Sequence, residues 1–403
     1  MSKILINFIE KIVEGIFFLS STVTTLTVLL IIVFLFREGS GVFSESPVEK
    51  GFTIAVNQGN PVTRLSSAAL KLIYDQEITN WSKLGGKNDS ILLFRLDDIG
   101  NYYSEEELGE NFEHMPTKIS ELVEKNPGII AFFSDKYLSK DFKGRVIPMD
   151  NTSYKEFFGG KEWFPTAQPA AQLGILSLVL GTLWVSLGAI LIALPLGLAT
   201  AIYLAEIADQ KTRNILKPLV ELLAGIPSVV YGFFGLIIIV PAIQKLFDLP
   251  VGETALAGSI ILGIMALPTI ITISEDALRT TPRAMKEASL ALGANRWQTI
   301  SRVVIPYSMS GITAAAILGI GRAVGETMAV LMVTGNAAVI PHTFLEPVRT
   351  IPATIAAELG EAAHGDLHYK ALFALACILF IITLAINLTV EFISAKRNKA
   401  NND

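Results

Sequence analysis

The chain has 403 residues, of which 51% are hydrophobic and 17% are charged, and its formal net charge is −5. Soluble domains carry about 25% charged residues, so this composition excludes a chain that is soluble throughout and predicts that a bilayer surrounds much of it. The mild negative charge gives no indication of a nucleic-acid partner, and the single cysteine excludes an internal disulfide.

The first apolar run is Gly15–Phe36. A cleavable signal peptide has an apolar core of about 7–15 residues and ends at a small-residue cleavage site. This run is longer, and the polar sequence Arg37-Glu38-Gly39 follows it without an A-x-A pattern. We therefore predict that residues 1–38 form a retained anchor helix.

Residues 39–168 are too polar for a bilayer and too long for a simple connection. Apolar segments at Ile91–Phe94 and Gly128–Phe133 are typical of strands, and Ser66–Tyr74 is typical of a helix. We predict a small α/β domain outside the membrane, inserted between the first two spanning helices.

A spanning helix needs about 20 apolar residues. Five further runs meet this length: Gly174–Leu204, Leu219–Ile243, Ala255–Ile273, Tyr307–Val333 and Ala371–Ile393. Tilt, or breaks at Pro195, Pro227 and Pro268, would absorb their excess length. The fold class is therefore an all-α polytopic membrane protein with six transmembrane helices and an inserted α/β domain. Residues 169–394 form its membrane domain and residues 395–403 a basic tail.

Six crossings place both termini on the same side, and the basic residues indicate which side. The loops and ends of one side hold Lys3, Lys11, Lys211, Arg213, Lys217, Arg279, Arg283, Lys286, Arg296, Arg302, Lys396, Arg397 and Lys399, whereas the short loops of the other hold only Lys245, Arg349 and Lys370. Cytoplasmic loops are enriched in Lys and Arg, so we predict cytoplasmic termini and an extracytoplasmic α/β domain.

The loop between the fourth and fifth runs mixes charges with apolar residues. Met285, Ser289 and Leu292 recur at helical spacing after Thr281-Pro282, and Gly293 provides a stop. The spacing predicts a short amphipathic helix. From the residues alone, a helix that lies on the lipid surface stays open as the alternative.

The same loop resembles the EAA loop of ABC importer permeases. It reads Glu287-Ala288-Ser289, then Gly293, then Ile305-Pro306, with serine where the family has a second alanine. The resemblance implies a coupling helix that docks in a cleft of an ATPase subunit. In that interpretation Leu290, Leu292 and Trp297 are the anchors of the docking surface.

Two charges lie inside the fifth run. Arg322 follows Pro306 by 16 residues, about 24 Å along a helix, and Glu326 is spaced i, i+4 from it. An arginine fork matches the oxygens of phosphate or sulfate, so the pair is a candidate anion pathway. A structural ion pair that fixes helix packing stays open. Glycines 319, 321 and 325 are expected to admit neighbouring backbones.

Four longer segments resemble one particular group of ABC importer permeases. Glu221–Leu236, Ala291–Ile312, Gly319–Asn336 and Phe157–Pro165 are similar to the Pst-type phosphate permeases, in their PstC-like form. The likeness covers residues 155–394 and the first helix. It implies that the charged pair lies in the translocation path. It also implies a PstA-like permease partner, a PstB-like ATPase dimer and an extracytoplasmic phosphate-binding protein. No phosphate-binding loop for ATP is present, so we expect no enzymatic activity and no cofactor or metal.

The α/β domain departs from that family, in which connections here are usually short. Ala69–Gly86 and Glu124–Ser134 resemble fragments of a phosphate-binding protein. We expect a spacer or docking surface. A residual ligand site at Arg64, Arg95 and Ser66-Ser67 stays open, and the outer histidines His364 and His368 are expected to be surface residues. Alternatives for the whole chain are a permease for molybdate or sulfate and, from another class, a membrane phosphate sensor.

Overall fold

The computed structural model describes residues 3–400, and the side chains of residues 11–389, 391 and 392. The predicted basic tail at 395–403 therefore lies outside the described side chains. Five described helical segments are long and apolar enough to cross a membrane: Lys11–Ser44, Leu176–Ile207, Ser228–Phe247, Ala255–Arg279 and Leu367–Thr389. A sixth crossing arises if Arg296–Tyr307 and Met309–Val324, which meet at 71°, count as one span. The predicted polytopic helical fold is confirmed.

The anchor helix α1 spans Lys3–Ser40 and packs on the rest of the protein only near its end. There Phe34 makes an edge-to-face contact with Phe373, with ring centroids 5.5 Å apart. Gly39 lies so close to the last helix that a Cβ atom would come within 3.0 Å of the Ala374 backbone. The described part of α1 before this contact is exposed, as expected for a helix surrounded by lipid or by a partner chain.

A four-stranded sheet forms the centre of the α/β domain, in the order β2-β3-β1-β4. β1 pairs antiparallel with β3, and β2 pairs parallel with β3. The strands are β1 (Phe52–Asn57), β2 (Leu92–Arg95), β3 (Ile129–Ser134) and β4 (Gly144–Val146), and the helices are α2 (Ser67–Tyr74), α3 (Glu105–Leu108), α4 (Met115–Lys125) and α5 (Tyr154–Gly159). The predicted strands and helix are confirmed to within one residue at each start.

Alternation along the strands explains this layering. Ile54 and Val56 face α2, whereas the intervening Ala55 faces α4, because successive side chains point to opposite faces of a sheet. Both sheet faces are therefore covered by a helix. Ser66 fixes the start of α2, since its side chain accepts a hydrogen bond from the backbone N–H of Ala69.

A short hairpin fastens this domain to the membrane helices. It consists of β5 (Trp163–Phe164) and β6 (Gln172–Leu173). Trp163 is fully buried in a cluster with Ile351 and Leu372, which belong to the membrane domain. The α/β domain is thus packed against the helices rather than merely tethered to them.

The next span, α6 (Leu176–Ile202), packs along α10 (Ala255–Arg279), and together they form the centre of the membrane domain. Pro195 and Pro268 lie inside these two unbroken helices, so the prediction of breaks there is wrong. Neighbouring helices satisfy the backbone groups that an intramembrane proline frees. A π-helical turn, Tyr203–Ile207, ends the first of them.

The third apolar run is divided, and its predicted start at Leu219 is wrong. Helix α7 occupies Gln210–Ala224, and Pro227 with ψ 143° precedes a new helix. Because proline has no N–H and restricts the residue before it, the chain leaves the helical path at this point. The run continues as α8 (Ser228–Phe234), a π turn (Gly235–Ile239) and α9 (Val240–Phe247).

The fifth run is broken twice, so the predicted single helix Tyr307–Val333 is also wrong. Ser308, with φ −87° and ψ 7°, separates it from the preceding segment, and residues 325–327 form a second break. The helices of this part are α11 (Arg283–Ala291), α12 (Arg296–Thr299), α13 (Ile305–Tyr307), α14 (Met309–Val324), α15 (Met328–Val333), α16 (Ile351–Glu358) and α17 (Leu367–Ala400), with a π turn at Ile300–Val304.

Candidate functional site

The loop between α10 and α12 forms a helical hairpin on the side of the membrane domain opposite the α/β domain. Pro282 stands directly before α11, and Gly293 turns the chain with φ +85°, a conformation that favours glycine. Asn295 and Gln298 then form a reciprocal capping box at the start of α12. The amphipathic helix predicted here is confirmed, and local sequence signals define both of its ends.

The outer surface of this hairpin is apolar at its tip. Leu292 is 90% exposed and Trp297 62% exposed, and Leu290 is also open to solvent. Glu287 and Ala288 lie on the same open surface. Exposed aromatic and aliphatic side chains grouped in this way are typical of an anchor that enters a partner's groove. We call residues 285–297 the docking hairpin.

The inner face of the docking hairpin is polar and bonded to the membrane helices. Lys286 Nζ lies 2.5 Å from Glu206 Oε1 at the end of the α6 span. The hydroxyl groups of Ser289 and Thr299 lie 3.0 Å apart. Ser289 therefore faces inward, although its spacing placed it in one row with Met285 and Leu292. These contacts hold the hairpin firmly to its own chain while its tip stays open.

The structure places Arg322 in the last turn of α14, half-buried. Its Nη1 atom lies 3.4 Å from the hydroxyl oxygen of Thr269 on α10. Tyr231 on α8 is buried in one cluster with Ala323, the residue after Arg322. The phenol of Tyr231 donates to the backbone carbonyl of Leu223, 2.8 Å away, and so bridges the break before Pro227. Arg322 thus makes a polar contact with α10 and lies beside a cluster to which α8 contributes.

Glu326 does not share a helical face with Arg322. α14 ends at Val324 with Gly325 as its cap, and Glu326 lies in the break before α15. Among the described residues the two side chains form no ion pair with each other. The structural ion pair that the sequence left open is therefore not present in this conformation.

The glycines near this pair have different surroundings. A Cβ atom on Gly319 would lie 2.8 Å from Ile270, so this glycine allows α14 and α10 to pack closely. At Gly321 the same atom would meet nothing within 4 Å. Only the first of these glycines therefore serves packing within this chain, and the second faces open space next to Arg322.

A second charged cluster, which the sequence did not indicate, lies where the α/β domain meets the membrane helices. Glu358 at the end of α16 accepts a hydrogen bond from Trp163 Nε1 at 3.0 Å. Arg349 and His368 lie 3.0 Å and 2.9 Å from its two oxygens. The prediction that His368 is a surface residue is wrong, since its side chain is only 14% exposed.

Burial alone would raise the pKa of the Glu358 carboxyl. The hydrogen bonds from His368 and Trp163 and the charge of Arg349 outweigh burial and hold its pKa below the ordinary value. A cavity of about 580 Å³ opens beside this cluster, between residues 44–50 of the α/β domain and residues 361–368. This junction joins the domain, the α16 loop and α17.

The residues suggested for a ligand site in the α/β domain do not converge. Ser66 and Ser67 lie at the start of α2, and Ser67 donates to a backbone carbonyl. Arg95 stacks over Tyr74, at the other end of that helix, about 12 Å away for an eight-residue helix. Arg64 pairs at 3.8 Å with Asp150 on the surface. Each polar group therefore already has a local partner.

Comparisons with known proteins agree with this arrangement. Residues 193–399 match the family model of the binding-protein-dependent transport system inner membrane component, and residues 38–178 match a PBP superfamily domain. A probable ABC transporter permease of Bacillus subtilis is 38% identical over 276 residues, covering 68% of this chain and 87% of the relative. The phosphate transport system permease protein PstC of Mesorhizobium japonicum is 40% identical over 249 residues, covering 57% and 75%. An inward-facing structure of the MetNI methionine ABC transporter is 21% identical, with a TM-score of 0.42 over 56% of this chain and 94% of that one.

The broken membrane helices, the half-buried arginine and the exposed docking hairpin define a membrane-embedded permease subunit. The chain belongs to the family of binding-protein-dependent transport system inner membrane components, and within it the chain is PstC-like. Its α/β domain adds a module of the PBP superfamily to that permease.

Proposed function

We propose that this chain is the PstC-like permease subunit of an ATP-driven importer of inorganic phosphate, and that it forms half of the translocation pathway. Arg322 carries the proposal. A half-buried guanidinium within the membrane domain is costly and is rarely retained without a partner or a ligand. Relatives that share this region with the chain are named phosphate transport permeases.

Arg322 has N–H donors that are not used within the described part of the chain and are available to an anion. Within the described part of the chain, its only hydrogen bond is the 3.4 Å contact with Thr269. A guanidinium has five N–H donors in a planar fork, so most of them are available for two oxygens of a tetrahedral anion. Glu326, across the helix break, would repel a doubly charged anion from one side and so favour its release after passage.

The docking hairpin is the proposed contact with the ATPase. Leu290, Leu292 and Trp297 would enter a groove of a PstB-like ATPase, with Glu287 and Ala288 on the helix surface beside them and Gly293 forming the turn. ATP is hydrolysed on that partner, and this chain converts the closure of the ATPase dimer into a movement of its own helices. The exposed tip and the bonded base suit such a rigid connection.

The remaining partners follow from the same assignment. We propose a PstA-like chain as the second half of the pathway, against the open face next to Gly321. We also propose an orientation in the bacterial plasma membrane with cytoplasmic termini, because Lys and Arg concentrate on the side of the docking hairpin. The α/β domain at 39–168 would then lie outside, as a docking surface for an extracytoplasmic phosphate-binding protein.

The test is uptake of radiolabelled phosphate by proteoliposomes that contain the complete transporter, with sulfate and molybdate as competitors. Charge-assisted hydrogen bonds contribute about 1.5–3 kcal/mol each, so Arg322→Ala is expected to lower uptake by about 100-fold while the complex still assembles. Arg322→Lys keeps the charge but not the fork, and should recover only part of the loss. Lys245→Ala, which removes an exposed cation at the end of α9, is the control.

Unchanged uptake by Arg322→Ala would contradict the pathway assignment. Uptake that sulfate or molybdate suppresses more strongly than unlabelled phosphate would instead favour another oxyanion as the cargo.

A further inference from the structure

A buried carboxylate joins two membrane elements directly above the docking hairpin. Glu275 lies four residues before the end of α10, and its side chain is 1% exposed. The charge of a carboxylate in such a position is costly unless cations compensate it. This residue has no part in the pathway or in the docking surface described above.

Three cations surround this carboxylate. Arg213 on α7 lies 2.7 Å from its Oε1 atom, and Lys217, one turn later on α7, lies 3.0 Å from its Oε2 atom. Arg279, on α10 itself, lies 3.6 Å away. Lys217 also contacts the exposed Asp276 at 3.2 Å. Cations therefore outnumber carboxylates in the cluster, and most of them come from α7.

The excess of cations around Glu275 permits α7 and α10 to move relative to each other. If α7 shifts along α10, Glu275 can exchange one cation for another and its charge stays compensated throughout. A buried carboxylate with a single partner would have to break that ion pair, at a large cost, before the helices could move. The cluster can therefore compensate the charge of Glu275 in more than one relative position of α7 and α10.

Both helices lead to Arg322. Thr269, which contacts the guanidinium, precedes Glu275 on α10 by six residues, or about 9 Å of helix. α7 ends at the break before α8, where Tyr231 bonds back to Leu223 and joins a buried cluster with Ala323, the residue after Arg322. In the other direction, α11 begins four residues after the end of α10. Glu275 thus links α7 to α10. Both helices lead toward the surroundings of Arg322, and α10 also leads into the docking hairpin.

We propose that Glu275 is a positioning residue of the transport cycle, which passes movement of the docking hairpin through α7 and α10 to Arg322. The proposal rests on the proposed function. It predicts that loss of this carboxylate uncouples ATP hydrolysis from transport without preventing assembly.

The experiment uses the complete transporter in proteoliposomes, with inorganic phosphate and the binding protein, and measures three quantities. They are copurification of the ATPase, ATP hydrolysis with and without the loaded binding protein, and phosphate taken up per ATP. With Glu275→Gln we expect normal copurification and basal hydrolysis. Coupling free energies of 1–3 kcal/mol correspond to 5–150-fold effects, so stimulation by the binding protein and uptake per ATP should fall by about tenfold.

Lys217→Gln is the milder variant, because it leaves Arg213 and Arg279 on Glu275 and so preserves the fold. It should lower uptake per ATP by about threefold. Lys211→Gln removes an exposed cation from the same helix and is the matched control, with expected wild-type behaviour.

Wild-type uptake per ATP in Glu275→Gln would overturn the proposal. So would a Glu275→Gln complex that fails to assemble together with a fully coupled Lys217→Gln complex, since the cluster would then be purely structural. If the wild-type transporter takes up no phosphate, the proposed function fails instead, and stimulation of ATP hydrolysis by the binding protein still reports on Glu275.

Discussion

Replacement of Glu358 by glutamine should destabilise the junction between the α/β domain and the membrane helices. Glutamine keeps the size of the side chain and an acceptor for Trp163 Nε1, but it loses the charge that faces Arg349 and His368. Removing one partner of a fully buried ion pair costs about 3–5 kcal/mol. Glu358 and Arg349 retain 14% and 20% exposure, so we expect a smaller loss, about 2 kcal/mol.

The assay is thermal unfolding of the purified permease in detergent, with the midpoint followed across a pH series. For a chain of this size, about 2 kcal/mol corresponds to a midpoint lower by about 4 °C at pH 7. Limited proteolysis at the α/β domain should accelerate in parallel, because the domain loses an anchor. Glu361→Gln removes an exposed carboxylate three residues further on and serves as the matched control.

The pH dependence follows from the lowered pKa of Glu358. A carboxyl group whose folded pKa lies below its ordinary value of 4.5 stabilises the fold above that pH. The stabilisation is lost as the pH falls through the folded pKa. The difference between the wild type and Glu358→Gln should therefore be complete at neutral pH and vanish in strong acid. Equal midpoints at pH 7, or a difference that persists in acid, would refute the reasoning.

Two further predictions concern the docking hairpin and the packing of the broken helices. Leu292→Asp, at a side chain that is 90% exposed, should leave the permease stable but lower its affinity for the ATPase by about 10–100-fold, measured by copurification against ATPase concentration. Leu138→Asp in the α/β domain is the control, and equal affinities would exclude Leu292 as an anchor. Gly232→Leu should lower the thermal midpoint, because a Cβ atom there would lie 3.0 Å from the Ala329 backbone and overpacking costs about 1–3 kcal/mol. Gly15→Leu, which meets no atom within 4 Å, should leave the midpoint unchanged, and a stable Gly232→Leu protein would mean that α8 and α15 separate easily.

Local chemistry made several elements predictable. The helix at Ser66–Tyr74, the two strand segments and the Pro282 and Gly293 boundaries each depend on neighbouring residues only, and the structure has them to within one residue. The apolar runs were equally clear, because hydropathy sums over many residues and tolerates local irregularity.

The breaks were not predictable in the same way, because hydropathy records composition and not backbone direction. Pro195 and Pro227 carry the same sequence signal, yet only the second interrupts its helix. The difference is that α10 packs along the whole of α6 and supports it. The i, i+4 spacing of Arg322 and Glu326 gave a wrong prediction for a related reason. It places both side chains on one helical face only if the helix continues past Gly325, and the helix ends there.

The Glu358 cluster escaped sequence analysis because its members are far apart in the chain. Trp163, Arg349, Glu358 and His368 meet only after the β5–β6 hairpin packs on α16 and α17. No short-range pattern connects them, and each residue by itself is ordinary in a polar loop. Only Trp163, which lies within the segment Phe157–Pro165 that resembles other permeases, offered a signal.

The distribution of tight packing indicates where the pathway can open. The end near the α/β domain is fixed by the Glu358 cluster, and α14 is fixed to α10 through Gly319. α15 packs mainly against α8, close to Gly232, and its Val330 and Val333 also join a buried cluster with α10. Between these two attachments lie residues 325–327, with Gly325 exposed and no regular hydrogen-bonded helix. Because α14 packs on α10 and α15 packs mainly on α8, we expect this break to absorb part of any shift of α10 relative to α7. If the proposals for Arg322 and Glu275 are correct, this movement would also change the distance between the guanidinium of Arg322 and the carboxylate of Glu326.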